Sequence, residues 1–278
     1  MISRNYVSTP QASANLPHSG VCKADITAAL GRFDTIGLKQ LDRVALLNRI
    51  DTKYLLNSTL LLSLLPDLEL YYDVLCINAI SLNRYRTIYF DTADFLLYHR
   101  HHAGALNRYK VRSREYVDTN KNFLEVKHKT NKSRTVKSRV MTESLTREIS
   151  STTDEFLYEN YPLDVYALQP QIQNRYKRIT LVSKSSLERL TIDLELNFKN
   201  DARQMSLDGL VIAEVKQARF SQDSPFVQLM RKNGMRPTGF SKYCIGTSLL
   251  YPHLKSNNFK RHQMLVKKLS TVAHKSDA

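Results

Sequence analysis

The sequence predicts an α+β protein centred on a closed antiparallel β-barrel of about eight strands, with helices packed outside and a polar tunnel inside. Three observations predict it. Segments in which apolar and charged residues alternate recur along the chain, from RIDTKYLLN (49–57) to the stretch Gly209–Gln217. Their charged rows are mostly Arg and Lys. So many two-faced strands also exceed what a two-layer α/β domain of 278 residues needs, and closing them into a barrel removes exposed edges. Apolar faces turned out onto helices and charged faces turned in make a narrow polar channel, the inverse of an ordinary barrel. A charged face turned outward has the same period, so alternation alone leaves the orientation open.

Composition narrows the partners. Lys and Arg number 41 against 26 Asp and Glu, a formal charge of +15, which points to nucleic acid, an acidic membrane surface or phosphate-rich small molecules. Cys22, Cys76 and Cys244 are widely spaced and form no CxxC pair, which argues against a disulfide framework and fits a reducing cytoplasm. The best candidate for an apolar span, Leu60 to Leu65, is cut by Pro66 and is too short to cross a bilayer. No signal-peptide core opens the chain, so a soluble cytoplasmic protein is expected.

In order, residues 1–23 are polar and read as a loose tail, residues 24–252 as one domain, and residues 253–278 as a basic extension. Phe33 to Leu47 has near-helical apolar spacing, and Arg49 to Asn57 reads as extended. Ser58 is placed to cap a short helix that stops at Pro66. Glu69–Ile80 and Arg84–Asp91 are rich in Tyr, Ile and Val and read as strands. Thr92–Ala103 shifts to a helical period and ends in His99, His101 and His102. No carboxylate or Cys is spaced to complete a metal set there, so a solvated turn is the better reading.

Asn107 to Lys129 reads as a hairpin turning through Asp118, Thr119 and Asn120. Alternation places Lys110, Arg112, Arg114 and Tyr116 on one face of its first strand, and Phe123, Glu125, Lys127 and Lys129 on one face of its second. Opposed like charges across a ladder are destabilising, so an anion is expected between the two rows. Arg adds specificity here, because its planar fork matches phosphate oxygens bidentately. A wet strand face also carries Lys and Arg for solubility, and only the recurrence of the pattern weighs against that explanation.

Further on, Arg134–Met141 puts Lys137 and Arg139 on one face. Glu143–Asn160 reads as helical, and Gln171–Val182 as a strand carrying Arg175 and Arg178. Leu187–Phe198 sets Leu190, Ile192, Leu194 and Leu196 against Thr191, Asp193, Glu195 and Asn197. Gly209–Gln217 carries Glu214 and Lys216 on one face. Phe226–Arg231 and Gly239–Leu250 read as helices, and the segment from Tyr251 as a basic helix or tail.

The ordered series IDTKY (50–54), YRTIYFDT (85–92), RYKVRSREY (108–116), FLEVKHK (123–129), KSR (137–139), IDLELNF (192–198), AEVK (213–216) and FSKY (240–243) resembles the VTC domain. That domain is the catalytic module of polyphosphate polymerases within the triphosphate tunnel metalloenzyme fold, and the similarity is to its stand-alone bacterial form. The resemblance implies a tunnel that binds ATP and a growing polyphosphate, with a divalent metal, Mn or Mg. By motif it implies that Lys53, Arg112, Arg114, Lys127, Arg139, Arg178 and Lys242 are catalytic phosphate-binding residues. Lys110, Lys129, Lys137, Lys216 and Ser241 join them as further phosphate ligands. Glu214 is implied as the metal ligand, with Glu125 and Glu195 as further candidates for the metal or for orienting cations. Plain readings stand beside these: surface charge for Lys53 and Lys216, a helix cap for Ser241, an ion-pair partner for Glu195.

Residue types agree with such chemistry. Phosphoryl transfer needs positioning, charge neutralisation and a bridging hard cation more than covalent help. No Walker loop, kinase Gly-rich loop or HRD motif is present, and IDTKY stands where the related cyclase and thiamine-triphosphatase branch carries ExExK. Two other functions remain open at this point: a tunnel triphosphatase with water as acceptor, and a non-enzymatic nucleic-acid or polyanion binder. The second would depend steeply on salt, and Tyr109 and Tyr116 are compatible with base stacking. No specific nucleic-acid partner is expected.

Overall fold

Alternation in the sequence becomes strand after strand in the structure, a computed structural model that describes residues 23–42, 49–132 and 134–275. In chain order the elements are α1 (Lys23–Leu30), β1 (Thr35–Ile36), α2 (Leu38–Asp42), β2 (Ile50–Asn57), α3 (Ser58–Glu69), β3 (Tyr72–Leu75), β4 (Asn83–Asp91) and α4 (Leu96–His102). They continue with β5 (Arg108–Tyr116), β6 (Lys121–Lys129), β7 (Thr135–Thr142), α5 (Ser151–Asn160), β8 (Gln169–Ser183), β9 (Glu188–Lys199) and β10 (Gln204–Asp208). The last are β11 (Leu210–Gln217), α6 (Pro225–Lys232), α7 (Lys242–Leu250), α8 (Lys260–Leu269) and β12 (Thr271–Lys275). The expected tail 1–23 lies, but for Lys23, outside the described residues, as does Cys22. No described helix is long and apolar enough to cross a membrane.

The strands form one large, mostly antiparallel sheet with the central path β2–β11–β9–β8–β4–β5–β6–β7. The expected closed barrel is not found: among the described residues β7 and β2, at the two ends of this path, do not pair. Pairing is spent on branches instead. β9 bonds β11 through Glu188–Asp193 and β10 through Leu196–Lys199, and β8 likewise serves β4 along most of its length and β3 at its end. The sheet is nevertheless strongly curled. Lys127 on β6, next to last on the path, feels the charges of Lys53 on β2 and Glu214 on β11, the first two strands. The face carrying these charges is therefore concave.

The convex face is apolar and covered by helices. Tyr54, Val211, Ala213, Ile192 and Ile179 pack under α1, α3 and α6, while Ile88, Val111, Leu124 and Val126 pack with Leu97 and with Leu157 of α5. α3 departs from the expectation at both ends, with Asn57 and not Ser58 as its cap and Pro66 inside it. Its N-cap is Asn57, whose side chain accepts the Leu60 N–H at 2.8 Å, and the helix runs on through Pro66. Leu61, Leu64, Leu65 and Leu68 recur at helical spacing and are all buried, and that stripe outweighs the lost hydrogen bond at Pro66. Near the N-terminus the expected helix over Phe33–Leu47 is a short strand and a five-residue helix as far as the described residues go. Glu69–Ile80 keeps strand only over Tyr72–Leu75, and Glu143–Asn160 keeps helix only over Ser151–Asn160.

One end of the concave face is apolar too, and α7 fills it. Tyr243, Cys244, Ile245 and Leu250 pack against Leu55, Ile172, Leu196, Phe198 and Ile212, with α8 packed behind. The approach is tight: a Cβ on Gly246 would lie 2.5 Å from Cδ1 of Phe198. Asp91 fixes the helix further. Its carboxylate accepts the Leu97 and Tyr98 N–H groups at the start of α4 and the Tyr243 hydroxyl of α7.

Candidate functional site: a cation-lined channel

Register sets the site on the hairpin side. Lys110, Lys127 and Lys137 oppose one another across β5, β6 and β7, and Arg112, Glu125 and Arg139 form the next rung. Across the trough, Lys53 opposes Glu214 on β2 and β11, Lys216 follows on the same face, and Arg178 opposes Asp193 on β8 and β9. Lys242 enters from the first turn of α7. These side chains are surrounded by protein yet still wetted, with 19% of Arg112, 26% of Lys53 and 17% of Glu214 accessible, as expected for a channel lining.

Three carboxylates each stand between two cations. Glu125 accepts from Arg112 Nε at 2.6 Å and pairs with Lys137 at 2.5 Å. Asp193 takes Arg178 bidentately at 2.5 and 2.8 Å and also Lys242. Glu214 bridges Lys53 and Lys216. Burial opposes ionisation of all three, and the flanking cations overcome it, holding each carboxyl below its usual range. The lysines feel the opposite pressure. Burial, with Lys110, Lys53 and Arg112 adding repulsion, lowers Lys127 to about 7, and burial lowers Lys137 and Lys216 to about 8 against the pull of their carboxylates. Lys110 is lowered chiefly by burial as well.

The structure sorts the sequence candidates. Lys53, Lys110, Arg112, Arg114, Lys127, Lys137, Arg178, Lys216, Lys242, Glu125 and Glu214 gather on the concave face. Lys129 shares that face but lies exposed at the strand end, and Arg139 is exposed with its guanidinium 4.6 Å from the Phe123 ring centre. Ser241 acts as the N-cap of α7, accepting the Cys244 N–H at 3.2 Å. Glu195 is elsewhere. It has φ +52° at a bulge where three steps of β9 match two of β8, and this turns its half-exposed carboxylate to Lys177. The bulge also exchanges the faces of β9: Leu190, Ile192 and Leu194 pack on the convex side, Leu196 and Phe198 on the concave side, contrary to the single leucine face expected.

Asp193 and Tyr176 are the residues that sequence reasoning missed. Their only signal is position, since Asp193 faces Arg178 once the register is known, and Tyr176 lies two residues before Arg178 on the same side. The histidines do not form a solvated turn: His102 is buried and His101 Nε2 lies 3.0 Å from the Tyr109 carbonyl. Two cavities lie away from the channel, about 270 Å³ on the convex side behind Tyr109 and His128 and about 500 Å³ beside Gly37 and Cys76. Neither holds a channel cation.

Among the described residues no three His, Cys, Asp or Glu side chains converge as a metal cage. Glu214 fits a different kind of site. Its single carboxylate lies between Lys53 and Lys216, and one carboxylate can share a hard divalent ion with phosphate oxygens and water, which is how Mg²⁺ is usually held. Glu125, like Glu214, stands between two cations, Arg112 and Lys137.

The fold is a curled antiparallel sheet with a concave cationic face, stopped at one end by a helix. Residues 48–251 match the model of the VTC domain, and the chain belongs to that family. Among solved structures, a putative adenylate cyclase from Bacillus halodurans is similar at 14% identity and TM-score 0.46, covering 70% of this chain and 94% of that one. Another from Vibrio parahaemolyticus shares 12% identity at TM-score 0.41 over 71% of this chain and 97% of its own. A putative adenylyl cyclase from Hippeastrum, described as having a dominant triphosphatase activity, shares 14% identity at TM-score 0.44 over 72% of this chain and 96% of its own. Scores this low support nothing further. No curated protein matches the chain.

Proposed function

We propose that this chain is a metal-dependent polyphosphate polymerase, an ATP:polyphosphate phosphotransferase that moves the γ-phosphate of ATP onto the end of an inorganic polyphosphate chain held in the channel. The observation that carries the reading is the rung Lys110–Lys127–Lys137 beside Arg112, Arg114 and Arg178 on one concave face. Such a density of like charge suits a condensed phosphate chain better than an isolated anion. Family membership supports it.

In this reading Arg112, Arg114 and Arg178 grip phosphate oxygens with planar forks, and Lys53, Lys127 and Lys242 neutralise charge on the transferring group. Glu125 and Asp193 hold the arginines in place. A terminal chain oxygen attacks the γ-phosphorus in line, the bond to the β-bridging oxygen breaks, and ADP leaves, so the polymer grows by one phosphate with no phosphoenzyme. Glu214 would hold Mn²⁺ or Mg²⁺, which supplies charge neutralisation at phosphate oxygens. Lys216 and Lys53 keep the Glu214 carboxylate ionised.

The test is product analysis after incubation with ATP, a short polyphosphate primer and Mn²⁺ or Mg²⁺. Long polymer with stoichiometric ADP is expected. Orthophosphate alone would mean a triphosphatase instead. Glu214→Gln is expected to lower turnover by about a hundredfold or more. Metal-independent binding of DNA or RNA that survives this change, with no turnover by the native chain, would mean a nucleic-acid binder.

A further inference from the structure

Four aromatic rings cross the concave wall at the end away from the body of α7. Tyr176, Tyr85 and Tyr116 share one rung across β8, β4 and β5, and Phe123 on β6 stands opposite Arg114. The rings touch in series. Tyr85 stacks on Tyr176 with centres 5.1 Å apart and planes 10° apart, lies 5.0 Å from Tyr116, and Tyr116 meets Phe123 edge-on at 5.7 Å. Tyr176 and Tyr85 are buried, whereas Tyr116 and Phe123 are only half-buried, beside the hairpin turn.

Arginines lean on this row. Arg178 lies 5.1 Å from the Tyr85 ring centre and 5.4 Å from that of Tyr176, and Arg114 about as near to both at 5.9 and 6.0 Å. The exposed Arg139 lies 4.6 Å over Phe123. The phosphate-gripping cations and the aromatic row are thus one continuous surface, and its accessible end is the half-buried Phe123 ring with the exposed Arg139 guanidinium over it.

We infer that Phe123, braced edge-on by Tyr116, forms a nucleobase platform on which the purine of the nucleoside triphosphate lies with the Arg139 guanidinium over its other face. The inference rests on the proposed function and adds the part of the site that tells donor from acceptor. Four residues of strand, about 13 Å, separate Lys127 from Phe123, comparable to the reach of a triphosphate and ribose laid along the wall. An inorganic chain has no ring to stack, so the platform favours the nucleotide at this end and leaves the lysine rung to either ligand.

Calorimetric titration of the full chain with ATP and, separately, with inorganic triphosphate, both without added metal, tests this. Phe123→Leu keeps an apolar side chain of similar size and removes the flat face; Phe123→Ala removes both, and far-UV circular dichroism confirms that each variant folds. Each change is expected to weaken ATP about tenfold and to leave inorganic triphosphate within about twofold. Equal losses for the two ligands, or no loss for ATP, overturn the platform while leaving the phosphate channel standing. If the native chain binds neither ligand, the proposed function fails and the platform falls with it.

Discussion

Raising the pH is a perturbation whose effect on polyphosphate binding follows from the lysine rung. Lys127 is lowered to about 7 by burial and by Lys110, Lys53 and Arg112, so the folded chain holds its charged form only below that value. A bound polyanion favours the ammonium and draws the proton back, so affinity is fully expressed only well below the Lys127 value and declines as pH rises through it. The charged fraction of such a group falls from about three quarters at about pH 6.5 to about 3% at about pH 8.5. Apparent affinity scales with the competent fraction, so Lys127 alone accounts for a loss of about 25-fold. Lys137, at about 8, adds roughly fourfold over the same range. Internal phosphates of a long chain keep one charge each throughout, so titration of the ligand drops out. Calorimetry in two buffers of different ionisation enthalpy measures both affinity and proton uptake. Lys127→Met is expected to bind more weakly at low pH and with a shallower pH slope. A native affinity that is flat over this range, or an unchanged slope in Lys127→Met, refutes the reasoning.

Asp193→Asn leaves Arg178 and Lys242 side by side without their shared counter-ion, and urea unfolding is expected to show a loss of about 3–5 kcal/mol. Because the carboxyl is held below its unfolded value, this contribution is present above about pH 4 and disappears as pH falls through the folded value, so the native and variant curves should converge in acid. Gly246→Ala pushes a methyl into Phe198 and is expected to cost about 1–3 kcal/mol in the same assay, with no change if the helix can shift freely. Glu195→Gln is expected to leave metal-dependent turnover within about twofold, and a large loss would bring Glu195 back into the site.

Much of this was legible because a strand has a strict period of two. RYKVRSREY and FLEVKHK sort their cations from their apolar residues without ambiguity, and the structure keeps that sorting at Lys110, Arg112, Arg114 and Lys127. Where the period slips, the reading slips with it. The bulge at Glu195 is written in no residue that a sequence flags, since Glu is an unusual occupant of positive φ, and every inference beyond it on β9 changed face. Strand pairing was equally silent. Nothing in IDLELNF says that Asp193 will meet Arg178, nor that β9 will divide between two neighbours and leave the ring of strands incomplete. Pro66 misled because a local rule was applied where a buried leucine stripe decides.

The bracketing of each acid by two bases has a consequence for how tightly any guest is held. Arg112, Arg178 and Lys53 already have companions, so an arriving anion competes with Glu125, Asp193 or Glu214 for them, and the net gain is the difference between two attractions. Crowded positive charge is thereby tolerated in the fold without forcing the walls apart. It also tempers the grip: an anion swapped in for a resident carboxylate can be swapped out again, with Arg112, Arg178 and Lys53 returning to their own counter-ions.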